Sequence, residues 1–316
     1  MAEFGQLPIA RIIYASCCAP WRRDQPSWEW IVARDPDLLL LLGDNIYAAN
    51  EGWDIQDMAE KYRVRLSDPQ FRYALDRIPT LATWDDHDIG PNNTVGDSVD
   101  ARTIGETGLE RREESRLQFL SHLGPRGVDP AHLVQPEGEI YCSYVLNGVL
   151  VIMLDARYYR QDIRDVGATG QFLGATQEAW LWAQFERAQR ERVLATVVCC
   201  GSTIDASNQL GEDVSHYRRF YAEFVPRFTA CPNPIFLSGD IHRNAYVRHR
   251  GFVEGISSGV AQVRARIVSE AFPDGREETN NYGILEIYPD RARFLFGATD
   301  YGGKEEMFPI KGVERP

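Results

Sequence analysis

Four short apolar runs in this chain each stop at residues that ionise or bind metal, and no other feature limits the fold as much. Leu38–Leu42 ends in Gly43-Asp44-Asn45-Ile46-Tyr47 and Ile235–Ser238 ends in Gly239-Asp240-Ile241-His242. Thr80–Thr83 runs into Trp84-Asp85-Asp86-His87-Asp88, and Arg11–Ser16 leads to Cys17-Cys18. Short apolar runs bounded by such punctuation read as buried strands. Four strands therefore deliver acids, imidazole and thiol to their carboxyl ends, the edge at which open α/β sheets bind ligands.

The rest of the chain fits that frame. Val149–Asp155 and Leu194–Cys200 read as further strands, while Ser27–Arg34, Ile55–Asp76, Gly105–Leu123, Thr176–Arg190 and His216–Phe228 carry helical periodicity, several behind a capping Ser, Thr or Asp. Ala245–His249, Phe252–Ile256, Tyr282–Tyr288 and Ala292–Phe296 read as strands joined by short turns, which predicts a second, partly antiparallel sheet. Gly90–Thr103 and Gly124–Gly138 are loops long enough to be functional. No repeat or linker divides residues 1–316, so a single α/β domain is expected.

Composition excludes several classes. With 34 basic and 46 acidic residues the net charge is −12, which opposes binding of nucleic-acid polymers or anionic lipid. No apolar run approaches the roughly 20 residues of a membrane span. Met1-Ala2-Glu3-Phe4-Gly5 lacks the basic and apolar regions of an export signal, so the cytoplasm is the expected compartment. The six cysteines, with adjacent couples at Cys17-Cys18 and Cys199-Cys200, are expected to be thiols, since a chain of this length buries a sufficient core without disulfides. No obligate protein partner is implied.

If the strand ends converge, Asp44, Asp86 and Asp240 become partly buried anions that raise one another's pKa. Lys and Arg are absent from all four motifs, so bound metal is the economical counter-charge. A phenolate from Tyr47 and a thiolate from Cys17 suit a trivalent ion better than Zn²⁺ or Mg²⁺. Strand alternation allows only one of Cys17 and Cys18 to face the site. About five negative charges on Cys17, Asp44, Tyr47, Asp86 and Asp240 would match one trivalent and one divalent cation.

Ser16-Cys17, Gly43-Asp44-x-x-Tyr47, Trp84-Asp85-Asp86-His87-Asp88 and Ser238-Gly239-Asp240-x-His242 resemble the signatures of the PhoD-like alkaline phosphatase family within the metallophosphoesterase superfamily. Asp35-Pro36-Asp37, Leu154-Asp155-x-Arg157 and Leu173-Gly174-x-x-Gln177-x-x-Trp180-Leu181 extend the likeness in the same order. The resemblance implies an α/β/β/α sandwich of two mixed sheets flanked by helices. It implies that Asp44 bridges two metals, that Cys17, Tyr47 and His242 complete an Fe(III) site, and that Asp86 with Asp240 holds a divalent ion, often calcium, with zinc, manganese or magnesium as other occupants. His87 would be the catalytic histidine. The activity implied is phosphate-ester hydrolysis, commonly of diesters.

Exported members often carry a twin-arginine signal and an amino-terminal β domain; with Cys17 almost at the start, neither is expected here. Where many superfamily enzymes place a metal-binding His, this chain has Cys199-Cys200-Gly201-Ser202-Thr203, which turns the divalent site toward water or Asn92 and Asn93.

Two cations would lower the pKa of a bound water from about 15.7 toward 7, supplying hydroxide for in-line attack, with His87 protonating the leaving oxygen and Asp88 or Asp85 orienting its ring. Arg157 is a candidate substrate contact, forking onto phosphate oxygens, or else a salt-bridge partner of Asp155; Asn93 stands in the same position. The rival readings are phospholipase D-like or phosphotriesterase activity at the same centre, a non-catalytic metal or phosphate sensor, and a redox iron protein.

Overall fold

Leu38–Leu42 is apolar at every position because both faces of its strand are covered. Leu38, Leu40 and Leu42 pack into the layer between two sheets, whereas Leu39 and Leu41 pack under the helices outside. The same alternation repeats in the opposing sheet, where Val149, Val151 and Met153 face inward and Leu150 and Ile152 face the outer helices. The computed structural model describes residues 7–19, 27–47, 55–96, 108–207, 209–261 and 280–299, together with the backbone of 305–309 and 313–314.

In chain order the strands are β1 Ala10–Ala15, β2 Leu38–Leu42, β3 Thr80–Thr83, β4 Leu133–Val134, β5 Cys142–Leu146, β6 Val149–Met153, β7 Ala195–Cys199, β8 Pro234–Ser238, β9 Asn244–His249, β10 Phe252–Ser257, β11 Asn280–Ile287, β12 Arg291–Thr299, β13 Glu305–Pro309 and β14 Val313–Glu314. One seven-stranded sheet runs β13-β12-β11-β1-β2-β3, with β14 also paired to β12. The other runs β4-β5-β6-β7-β8-β10-β9. Both are mixed: β1-β2-β3 and β6-β7-β8-β10 are parallel, and hairpins supply the antiparallel edges. Helices cover the outer faces, giving the expected four-layer α/β/β/α sandwich.

Two expectations need correction. The late strands do not form a sheet of their own: the β9-β10 hairpin extends one sheet beside β8, and the β11-β12 hairpin enters the other beside β1. Because β11 is buried at all eight positions, it needs a strand on each side and takes a central place. The single helix expected over Ile55–Asp76 is two, Ile55–Ser67 and Pro69–Leu75. Asp68 caps the second by accepting the Gln70 and Phe71 N–H groups at 2.9 and 3.0 Å, and Pro69 occupies the first turn, where its missing N–H costs nothing.

Candidate metal centre

Parallel β1, β2 and β3 end side by side, so the loops that follow are neighbours from the start. Past the strands, the Cys17 N–H donates to the Gly43 carbonyl at 3.3 Å and the Cys18 N–H to the Asp44 carbonyl at 2.8 Å. A Cβ on Gly43 would lie 2.5 Å from the Asp85 Cβ, so only glycine fits at this crossing, where φ is +93°. The opposing sheet reaches the same place: Ser16 Oγ donates to the Ser257 carbonyl at 3.0 Å, and the Val260 N–H donates to the Ser16 carbonyl at 3.2 Å.

The β3 strand enters a helix of one turn, Asp86–Ile89. Asp88 accepts the Asp85 N–H at 3.0 Å in a capping box that starts the helix and fixes Asp86 and His87 in its first turn. Four candidate ligands hold left-handed backbone: Cys17 at φ 58°, Asp44 at 50°, Asp240 at 71° and His242 at 56°. None is Gly or Asn, so each conformation carries a cost that surrounding contacts must offset.

Three groups of ligand atoms result, each with all members within 4.8 Å of one another: Cys17, Asp44 and His242; Asp44, Asp86 and His87; Asp85, Asp86 and Asp240. Asp44 belongs to the first two and Asp86 to the last two, so the cluster is continuous. Cys17 Sγ lies 3.5 Å from Asp44 Oδ2 and 3.2 Å from Ser258 Oγ, and Ser258 Oγ accepts the His242 N–H at 2.8 Å. Cys18 instead packs in the apolar layer under the helices. All six cysteines are buried thiols. The Tyr47 ring lies 4.4 Å from the His87 ring, centroid to centroid.

Asp44 and Asp240 are both pushed well above the carboxylate range, by burial first and then by neighbouring acids. Burial also raises the Cys17 thiol and the Tyr47 phenol, and Asp44 adds to both shifts. Asp86 is the exception. Burial would raise it too, but the Arg157 guanidinium, His87 and the Asn93 N–H, donating at 2.5 Å to Oδ2, hold it below the ordinary value. Asp44 Oδ1, Asp86 Oδ1 and Asp240 Oδ2 are buried with no hydrogen-bond donor among the described residues, as are Asp85 Oδ2 and His87 Nδ1. Acceptors in that state are costly unless a cation satisfies them, and the mixed thiol, imidazole and carboxylate donors fit a metal centre.

Arg157 does not meet Asp155 through its side chain. Its guanidinium is fully buried, bonds Asp85, lies 2.8 Å from Glu212 Oε2 and lies 3.9 Å from Asp86 Oδ1. Burial pushes Asp85 up to about 6 although Arg157 pulls against it. Neither Asp85 nor Asp88 orients the His87 ring, contrary to expectation: Asp85 is taken by Arg157, and Asp88 binds the Asn45 and Ile46 N–H groups and the Tyr62 hydroxyl. Asp86 is the acid beside His87, 4.0 Å from Nε2. Asn93 is half-buried at φ 60°, with its side-chain amide donating to Gln209 Oε1 at 3.2 Å; Asn92 Nδ2 donates to Asn93 Oδ1 at 2.8 Å.

Ser258 and Glu212 lie outside the motifs that the sequence singles out. Ser257-Ser258-Gly259 follows an apolar run, the same strand-end signal that revealed the acids. Glu212 has no such signal.

Two mixed sheets flanked by helices, with this cluster at the strand ends, define a metallophosphoesterase-type fold. The chain belongs to the PhoD-like phosphatase family, whose profile matches residues 12–282, and it is accordingly a phosphoric ester hydrolase. The solved structure of PhoD is similar with a TM-score of 0.75 at 15% identity, over 96% of this chain and 69% of that one. A dimetal phosphatase from Danio rerio is similar with a TM-score of 0.56 at 10% identity, over 96% and 99%. These two likenesses are of fold. Comparison with curated proteins gives no match. Among the described residues no helix is long and apolar enough to cross a membrane.

Proposed function

We propose that this chain hydrolyses phosphate mono- and diesters at a two-metal centre. Cys17, Asp44, Tyr47 and His242 would hold Fe(III), and Asp44, Asp86 and Asp240 a divalent ion for which calcium is the first choice. The observation that carries the reading is the set of buried acceptor oxygens on Asp44, Asp86 and Asp240 that no donor among the described residues satisfies, set among a thiol and two imidazoles. Burial and Asp44 raise both the Cys17 thiol and the Tyr47 phenol, which would ionise beside a bound cation, and a phenolate with a thiolate suits a trivalent ion. The Asp85–Asp86–Asp240 group offers only oxygens, which suits a hard divalent ion.

Metal ions held by these residues would supply Lewis acidity, polarising phosphoryl oxygens and lowering the pKa of a water toward neutral. His87, with 8% of its surface exposed, would protonate the departing oxygen, a role worth on the order of 10² to 10⁴ in rate. Asn93 offers its amide as the substrate contact. Arg157, enclosed by acids, is assigned instead to holding Asp85 and Asp86 in place and keeping Asp86 ionised.

The test is hydrolysis of bis(p-nitrophenyl) phosphate by metal-analysed protein. The reading expects a visible ligand-to-metal band, iron with a second metal, and loss of turnover in Asp44→Asn. Colourless, transition-metal-free protein whose Asp44→Asn variant keeps full turnover would overturn it.

A further inference from the structure

Away from that centre, Glu254 sits in β10 with no exposed surface. Its Oε1 accepts the Ser238 hydroxyl at 2.7 Å and the Ile204 N–H at 3.0 Å, which leaves Oε2 aimed at His249 Nε2, 2.8 Å away. The imidazole is fixed in turn by stacking on Phe252, with ring centroids 4.6 Å apart and planes 19° from parallel. Asp205, exposed on the loop after β7, brings a third ligand atom, so that one atom from each of Asp205, His249 and Glu254 lies within 4.8 Å of the others. Among the described residues no Lys or Arg lies within 4.0 Å of either carboxylate, and His249 Nε2 is the group that faces Glu254 Oε2.

A fully buried carboxylate needs a counter-charge or a metal. Two carboxylates with a neutral imidazole carry two negative charges, the complement of a divalent ion. One nitrogen and two oxygens from separate elements, with the exposed Asp205 leaving one side open to water, form a three-residue ligand set for a divalent ion. None of these residues belongs to the groups around Asp44 and Asp86.

We propose that Asp205, His249 and Glu254 bind a further divalent cation, with Zn²⁺ as the probe, separate from the hydrolytic centre. The site ties together segments that lead into that centre: Ser238 precedes Gly239-Asp240, and Ile204 lies on the loop that carries Glu212. The cation is structural, joining the β9-β10 hairpin to the loop after β7.

Equilibrium dialysis of chelator-treated full-length protein against Zn²⁺, with metal counted per chain, tests this. Asp205→Asn and His249→Gln should each lose one equivalent relative to wild type, or bind it at least roughly 10- to 100-fold more weakly. Asp44→Asn should retain the equivalent that depends on Asp205. Because Asp205 is exposed, its variant tests the site without endangering the fold. Unchanged binding in both Asp205→Asn and His249→Gln would overturn the proposal and leave His249–Glu254 an ordinary ion pair. An Asp205-dependent equivalent that disappeared in Asp44→Asn would overturn it as well, since the two sites would then be one. Loss of hydrolysis with that equivalent intact concerns only the hydrolytic centre.

Discussion

Asp44 and Asp88 are both buried carboxylates a few residues beyond neighbouring parallel strands, yet their surroundings differ in kind. Asp88 is saturated: Oδ1 takes the Asn45 and Ile46 N–H groups and the Tyr62 hydroxyl, and Oδ2 takes the Asp85 N–H and the Asn45 amide. Asp44 keeps one oxygen with no donor among the described residues and shares the other with a thiol. The first acid holds the loops, and the second is left open for something the chain does not itself supply. Burial and charge alone do not separate the two roles; the state of each lone pair does.

The largest test of this contrast is kinetic. Asp44→Asn is expected to lower phosphodiester turnover by on the order of 10³ or more, while leaving the melting temperature of metal-free protein unchanged or higher, because a poorly compensated buried acid is removed. His87→Ala should cost about 10² to 10⁴ in rate while bound metal stays constant, as read by elemental analysis beside the assay.

Replacing Arg157 with Leu strands Asp85 and Glu212 and should destabilise the protein by about 3–5 kcal/mol in urea unfolding. Asp88→Ala belongs to the same class: several N–H groups lose their acceptor, for about 2–4 kcal/mol, and activity falls only as far as the fold does. An Asp88→Ala protein as stable as wild type would erase the distinction between the two acids.

The smallest effect lies at Glu286, a saturated acid remote from the centre. It accepts Arg11 Nε at 2.9 Å, the Tyr288 hydroxyl at 2.9 Å and Arg293 Nε at 2.8 Å. Burial would raise its pKa, but these donors hold it below the ordinary carboxylate value. A group whose folded pKa is lowered stabilises above its unfolded pKa and loses that contribution as pH falls through the folded one. Glu286→Gln should therefore melt below wild type at pH 7, by about 1 kcal/mol, with the gap closing below about pH 4.

What the sequence made legible was whatever local physics controls. The strand-end acids stood out because each apolar run stops where an acid begins, and Leu38–Leu42 and Thr80–Thr83 have the bounds expected of them. The break at Asp68-Pro69 was equally local, yet helical periodicity on both sides hid it. The strand β5 is absent from the sequence reading although its hairpin with β6 turns at Asn147-Gly148, both with positive φ, because Ser143 and the flanking Cys142 and Tyr144 make a weaker apolar run than Val149–Met153. The partners of Arg157 were not readable: Asp85 and Glu212 lie 72 and 55 positions away, and nothing in the composition of any segment specifies that meeting. The sharing of the late hairpins between the two sheets was hidden for the same reason, since pairing between distant strands is settled by burial on both flanks.

The left-handed backbone at Cys17, Asp44, Asp240 and His242 bears on engineering. Anyone who transplants these four side chains onto regular strand ends of another scaffold would carry over the donors without the bends that aim them. A successful graft would have to import the crossing at Gly43 and the loops around it, and screens for thermostability would tend to select glycine at these bends, trading turnover for ease of folding.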